Sequence, residues 1–319
     1  MTNKDRYEQF CRKQTNIPVF LQKWWMDAVC MGKQWDVFLY EENGQIMAVF
    51  VFHYVNKYGL KFILLPQLTQ YNGIWIDFPH CISAHKKRSL EKKIMYSFIA
   101  QLEAEKYVYY EQSFHYSIVN WLPFYWKGYK QTTRYTYQLK DLSDMEKCFS
   151  KFSSSKQRQI KKTTNDLIVD FDCSAEEFYR AATDNLQLKH EKISYSKQLF
   201  MNLYQSCFSR GQGQIIAIRN KNRQLYAASF IVWDFMSAYF LLYTIHPEHR
   251  SSGASSRMVW EAIQYVSDKV NVFDFEGSVN EPVELSYSRF GTEQLPYFTI
   301  KKSKSFLFSL LVKIKAKKD

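Results

Sequence analysis

Three features of the sequence predict a mixed α/β protein of two domains, each a mixed sheet covered by helices. The chain has 319 residues, long for one hydrophobic core and ordinary for two. Short strand-like runs alternate with segments of helical periodicity, and hairpin signals among them require antiparallel neighbours. The order of elements in the second half follows that of the first, without the identity that would make it a sequence repeat.

In the first half a helix is expected over residues 19–31. Strand-like runs at 36–40 and 46–55 flank Asn43-Gly44, a pair suited to a tight hairpin turn. A third run, 61–65, leads into the polar loop 66–73. Leu90, Ile94, Phe98 and Leu102 recur at helical spacing within 86–104. Residues 107–112 then read as a strand, 118–126 as a short helix and 129–139 as a strand. Asp141-Leu142-Ser143-Asp144 reads as a linker, so the expected domains are 1–143 and 144–300, followed by a basic tail over 301–319. In the second half helices are expected at 153–165, 175–189 and 195–209, and strands at 214–219, 225–233 and 238–246. A helix at 254–268 and a strand at 270–276 follow.

Composition removes several classes. With 46% hydrophobic and 18% aromatic residues the chain is not disordered, and 10 Gly with 7 Pro exclude a fibrous protein. Cys11, Cys30, Cys81, Cys148, Cys173 and Cys207 are scattered without CxxC or histidine spacing, so neither a zinc site nor a disulfide framework is expected. The opening MTNKDRYEQF lacks the apolar core of a signal peptide, and no run reaches the roughly 18 apolar residues of a membrane span. The expected location is the cytoplasm. Net charge is +12, of which Lys301–Asp319 supply +6. Such a surface suits anionic partners: nucleic acid, phosphorylated cofactors or an acidic membrane face. In the tail, Phe306, Leu307, Leu310, Leu311 and Ile314 would share one side of a helix flanked by lysines. That helix would either lie on an anionic inner membrane face or pack onto the first domain.

The richest stretch runs from Ser237 to Arg257: a strand, a turn of small residues, then a helix with Met258, Val259, Ala262, Ile263 and Val266 on one face. Backbone N–H groups at such a helix start, with the helix dipole behind them, favour an anion. Gly253 has no side chain to block its approach. Asp274 and Glu276, two apart on an expected strand, project together opposite Phe273 and Phe275. Buried carboxylates need partners or a task, and one task is to take the proton of an attacking amine. His246, at a strand end, is a third candidate base. Arg158, Lys161 and Lys162 share a helix face and form a positive patch suited to phosphate or simply to solvent. Ser153-Ser154-Ser155 ahead of them supply N-cap candidates. Gln70, Tyr71 and Asn72, in the polar loop of the first half, are candidates for acceptor binding.

Arg250-Ser251-Ser252-Gly253-Ala254-Ser255, after His246-Pro247-Glu248, resembles the acyl-CoA loop of GNAT enzymes, Arg/Gln-x-x-Gly-x-Gly/Ala, with Ser255 standing where Gly or Ala is usual. Asp274-Phe275-Glu276-Gly277-Ser278 with Ser288-Arg289-Phe290-Gly291 resembles the C-terminal signature of FemABX-like proteins. The basic helix Ser155-Lys156-Gln157-Arg158-Gln159-Ile160-Lys161-Lys162 resembles the one that opens their second domain. The resemblance covers about residues 150–300 well and the first half loosely. It implies two tandem GNAT-like domains, with a cleft between strands 238–246 and 270–276. It also implies an N-acyltransferase that moves an acyl or acetyl group from acyl-CoA, held by 250–255, to an amine of a cell-envelope or polysaccharide precursor. FemABX enzymes themselves use aminoacyl-tRNA to extend peptidoglycan precursors, which keeps tRNA as an alternative donor. A non-catalytic glycan- or peptide-binding protein on the same scaffold is the alternative of another class. No metal is expected. No serine or cysteine sits in a nucleophile setting, so direct attack by the amine is the expected route.

Overall fold

A computed structural model describes residues 1–79, 81–278 and 280–304. It divides into two compact units, Tyr135–Leu295 and a first unit formed by Met1–Arg134 with the chain from Pro296 onward.

The first unit opens with α1 (Asn3–Lys13) and α2 (Lys23–Val29), then β1 (Trp35–Glu42), β2 (Gln45–Lys57), β3 (Leu60–Leu64) and β4 (Gly73–Ile76). After α3 (Ala84–Ala104) come β5 (Tyr109–Ser113), α4 (Leu122–Trp126) and β6 (Lys130–Lys140), the last of which carries the chain into the second unit. Asn43 and Gly44 both take positive φ, at 51° and 76°, and so close the β1–β2 hairpin as their sequence demands. β2 pairs antiparallel with β1, β3 and β4, and β3 pairs parallel with β5. The core lies between this sheet and α3, whose Ile94, Phe98 and Leu102 are buried at the expected spacing.

The second unit contains α5 (Met145–Ser150), α6 (Ser154–Thr163), β7 (Ile168–Asp170), α7 (Ala175–Gln187), α8 (Lys197–Phe208), β8 (Gly213–Arg219), β9 (Leu225–Trp233) and β10 (Ser237–Ile245). A 3-10 turn over Pro247–Ser252 leads into α9 (Ala254–Val266), then β11 (Val272–Asp274) and α10 (Glu281–Ser288), after which β12 (Glu293–Ser303) returns the chain to the first unit. The strands of the second unit lie in the order β6-β11-β10-β9-β8-β7, antiparallel except for the parallel pair β10–β11. Ser153, Ser174 and Ser196 cap α6, α7 and α8 by accepting from the backbone three residues on. Met258, Val259, Ala262, Ile263 and Val266 of α9 are buried against the sheet, as their spacing predicts.

The structure adds elements that the sequence does not announce: α1, β4, β7, α10 and β12. It also shortens the strand expected at 270–276. β11 ends at Asp274 because Glu276 takes φ 57°, outside the β region. Within the expected tail, Lys301–Ser303 belong to β12 and pair with Glu111–Tyr109 of β5. Residues 305–319, on which the amphipathic-helix expectation rests, lie outside the described residues.

Candidate functional site

β10 and β11 run side by side only from Ser237–Tyr239 against Val272–Asp274, and β10 then continues to Ile245 with no β11 opposite it. A cavity of about 690 Å³ opens where they part. Phe240 to Ile245 form one wall, α10 and Phe290 another, and α7 with the segment after it a third. Lys156, Lys189, Lys192 and Arg250 line it, and none of its described lining residues is an Asp or Glu. The cavity is therefore electropositive.

Lys156 is the cation held in protein. It belongs to the buried face of α6, together with Ile160 and Thr163, and its relative exposure is 8%. Its Nζ hydrogen-bonds the hydroxyls of Ser256 at 3.2 Å and Ser286 at 3.1 Å and lies 4.4 Å from the centre of the Phe290 ring. Burial, helped by the positive charge of Arg289, pushes its pKa down to about 8.

Arg250 and Ser255 face the cavity, but the rest of the 250–255 loop does other work. Ser252 Oγ donates to the His249 carbonyl at 2.6 Å and accepts from Ala254 N at 3.1 Å, capping the start of α9. Ser251 is exposed and Ala254 is buried. Gly253 takes φ 89°, and a Cβ there would meet Thr163 at 3.0 Å and the Gln159 carbonyl at 3.3 Å. The side of this glycine where a Cβ would stand is covered by α6. Glycine is needed here for its backbone conformation and for close helix packing.

Asp274 is fully buried and its charge is met inside the fold. It accepts from Thr136 Oγ1, from Gln138 Nε2 at 2.8 Å and from the Glu276 backbone N–H at 2.7 Å. Glu276 has left the strand and does not share a strand face with Asp274. Its Oε1 is buried without a hydrogen-bond partner, and burial together with the nearby Asp274 charge holds its carboxyl well above the ordinary carboxylate range. Glu276 also acts on Tyr287, whose phenol is raised mainly by burial and which has Tyr243 as a neighbour. Both tyrosines line the cavity. His246 follows the end of β10, and the cavity wall there is Thr244 and Ile245. Its ring stands 5.0 Å from that of His249, which is stacked on Tyr226. His246, Glu248 and His249 bring metal-ligating atoms within 4.8 Å of one another, with Glu248 exposed to solvent.

A family model described as an acetyltransferase (GNAT) domain matches residues 150–282. Residues 150–282 are a GNAT acyltransferase domain. No curated protein matches the sequence. Among solved structures, FemX superposes with a TM-score of 0.69 at 10% identity, covering 93% of this chain and 96% of that one. L-PGS from Bacillus licheniformis gives 0.58 at 9% identity, with coverage of 97% and 95%. A tandem GNAT protein from the clavulanic acid biosynthesis pathway gives 0.53 at 8%, with coverage of 94% and 93%. At these identities the likeness is one of fold: the chain has the FemX-like, tandem-GNAT architecture.

The loop 250–255, which resembles an acyl-CoA loop in sequence, lies within the matched domain and meets the cavity in part. Arg250 and Ser255 line the cavity, whereas the N–H groups of Ala254, Ser256 and Arg257 are already bonded within the turn. Arg158, Lys161 and Lys162, expected to form a phosphate patch, lie on the exposed face of α6 and away from the cavity wall. The lysine of α6 that reaches the cavity is Lys156, which the sequence does not mark as a site residue. The signal it does carry is its spacing: Lys156, Ile160 and Thr163 stand four and three apart, a lysine in the apolar stripe.

In the first unit, Gln70 lines a second pocket of about 460 Å³ with Leu64, Glu111 and Arg134. Tyr71 and Asn72 beside it are buried. Tyr71 packs edge-on against Phe20 and His115, and Asn72 accepts from Gly73 N at 2.9 Å, fixing the loop before β4.

Proposed function

We propose that the cavity between β10 and α10 is the transfer site of an N-acyltransferase whose donor carries phosphate, with acyl-CoA as the first reading. The observation that carries it is the lining by Lys156, Lys189, Lys192 and Arg250 without a carboxylate. Arg250 and Ser255 would hold the phosphates, and acyl-CoA would supply an activated thioester carbonyl. The edge of β10 beyond Tyr239, where β11 has ended, offers main-chain groups to a developing oxyanion.

An acceptor amine must lose a proton to attack, because a free lysine-like amine has a pKa of about 10.4. Asp274 is committed to Thr136, Gln138 and the backbone, and neither His246 nor Glu276 is itself a lining residue of the cavity. Glu276 is the group left with an unsatisfied oxygen and a raised proton affinity. In its ionised form Glu276 would take the amine proton, and Tyr243 and Tyr287 stand on the cavity wall. The acceptor, on this reading, is an amine of a small or lipid-linked envelope precursor.

Aminoacyl-tRNA is the second reading, favoured by the closure of Gly253 by α6. Calorimetric titration with acetyl-CoA, on the wild type and Arg250→Ala, tests the first. Saturable binding weakened by Arg250→Ala supports acyl-CoA. No heat with acetyl-CoA, together with tRNA binding that falls steeply with salt, replaces it by the second.

A further inference from the structure

The first unit carries a surface cluster that the chemistry above does not use. In α4, Pro123 and Phe124 are buried, while Leu122, Tyr125 and Trp126 are exposed at 48%, 58% and 51%, and Val119 before them at 71%. Large apolar residues scattered singly on a surface need no explanation, but a contiguous set does. Trp126 stacks on Tyr96 of α3 at 6.5 Å, and Tyr125 meets Trp121 edge-on at 5.5 Å. Cations surround them. Arg88, Lys92 and Tyr96 recur at four-residue spacing and share a face of α3. Lys92 Nζ lies 5.9 Å from the Trp126 ring centre and Lys127 Nζ 5.8 Å from that of Tyr96. The neighbouring acids are already engaged: Glu91 is buried and accepts from Asn120, and Glu103 is paired with Lys302 and Lys304.

We propose that this α3–α4 face is a peripheral binding surface for an anionic phospholipid bilayer. Tyrosine and tryptophan settle at the headgroup level, where one end of the ring is dry and the other wet. Lysines within a Debye length of acidic headgroups add attraction that salt screens. Val119 and Leu122 provide aliphatic groups for the acyl boundary. They would do nothing for a nucleic acid, and Trp126 already has one neighbour in Tyr96 and another in Lys92. The surface is independent of which donor the second unit takes.

The test is co-sedimentation of the full chain with vesicles of phosphatidylcholine alone and of phosphatidylcholine mixed with phosphatidylglycerol. Binding to the mixed vesicles only, weakened by salt, is expected. Tyr125→Ser with Trp126→Ser, and separately Lys92→Glu with Lys127→Glu, should each weaken it about tenfold without moving the thermal melt, since all four side chains are exposed. A full-length variant with Lys313, Lys315, Lys317 and Lys318 changed to Gln separates this face from the tail. Loss of binding in that variant while both surface variants bind as wild type overturns the proposal. So does equal binding to neutral vesicles, or no vesicle binding but RNA binding that the surface variants abolish.

Discussion

Lys156 Nζ stands 3.1 Å from Ser286 Oγ, a contact that ties α6 to α10 through a cation with no carboxylate partner among the described residues. A buried charge met only by hydroxyls is costly, and the cost has a measurable sign. The folded-state pKa of about 8 lies below the ordinary lysine value, so the unfolded chain binds more protons between the two. The stability of the wild type relative to Lys156→Met should therefore rise as pH climbs through that interval. At neutral pH Lys156→Met should be the more stable, by up to about 3 kcal/mol, while acetyl-CoA binding weakens. Denaturant melts at neutral and alkaline pH, with calorimetry, check both; a less stable Lys156→Met at neutral pH would reject this account.

Glu276 has the opposite linkage. Its carboxyl is held above the ordinary range, so the folded protein retains a proton that the unfolded chain has released. Glu276→Gln should leave stability unchanged below the ordinary carboxylate pKa and gain on the wild type as pH rises above it. If Glu276 receives the amine proton, the same change lowers the transfer rate about a hundredfold or more. Gained stability with full activity would leave the carboxyl a strained bystander.

Arg219 joins three elements. Its Nε donates to Asp170 at 2.5 Å, and its two terminal nitrogens donate to both oxygens of Glu177 at 2.8 Å, linking β8 to β7 and α7. Such a fork is not reproduced by lysine. Arg219→Lys should cost about 1 to 2 kcal/mol, discounted because Glu177 is partly exposed. Both carboxyls are held below their ordinary values, so the network's contribution is full above those values and is lost as pH falls through the depressed ones. Acid denaturation of wild type and variant should therefore converge at low pH.

Gly253→Ala adds a Cβ against Thr163 at 3.0 Å in a left-handed backbone. A loss of about 1 to 3 kcal/mol in a denaturant melt is expected. Because the clash is with α6, the variant lowers stability whether or not the donor is bound. A stable Gly253→Ala that fails only in donor binding would restore the open phosphate cradle.

Elements with a strong local period were legible. The Asn43-Gly44 hairpin, the apolar stripes of α3 and α9 and the serine cap of α6 rest on chemistry within a few residues of each position. β7, only three residues long, and β12, mostly polar in its first half, take their strand form from pairing with β8 and β5. No local signal marks them, because strand propensity is largely what the neighbour makes of it.

The mixed α/β class, the strand–turn–helix around Gly253 and the two carboxylates near the end of β11 are legible along the chain. Those follow from periodicity, turn chemistry and spacing, which act locally. Tertiary structure decided what each group does. It turned Lys156 inward and left Arg158, Lys161 and Lys162 in solvent, spent Asp274 on Thr136 and Gln138, and ended β11 before Glu276. The partners of Lys156 and Asp274 lie roughly a hundred residues or more away in sequence. Burial and hydrogen bonding, which set the charge and proton affinity of a side chain, come from contacts that only the folded chain makes.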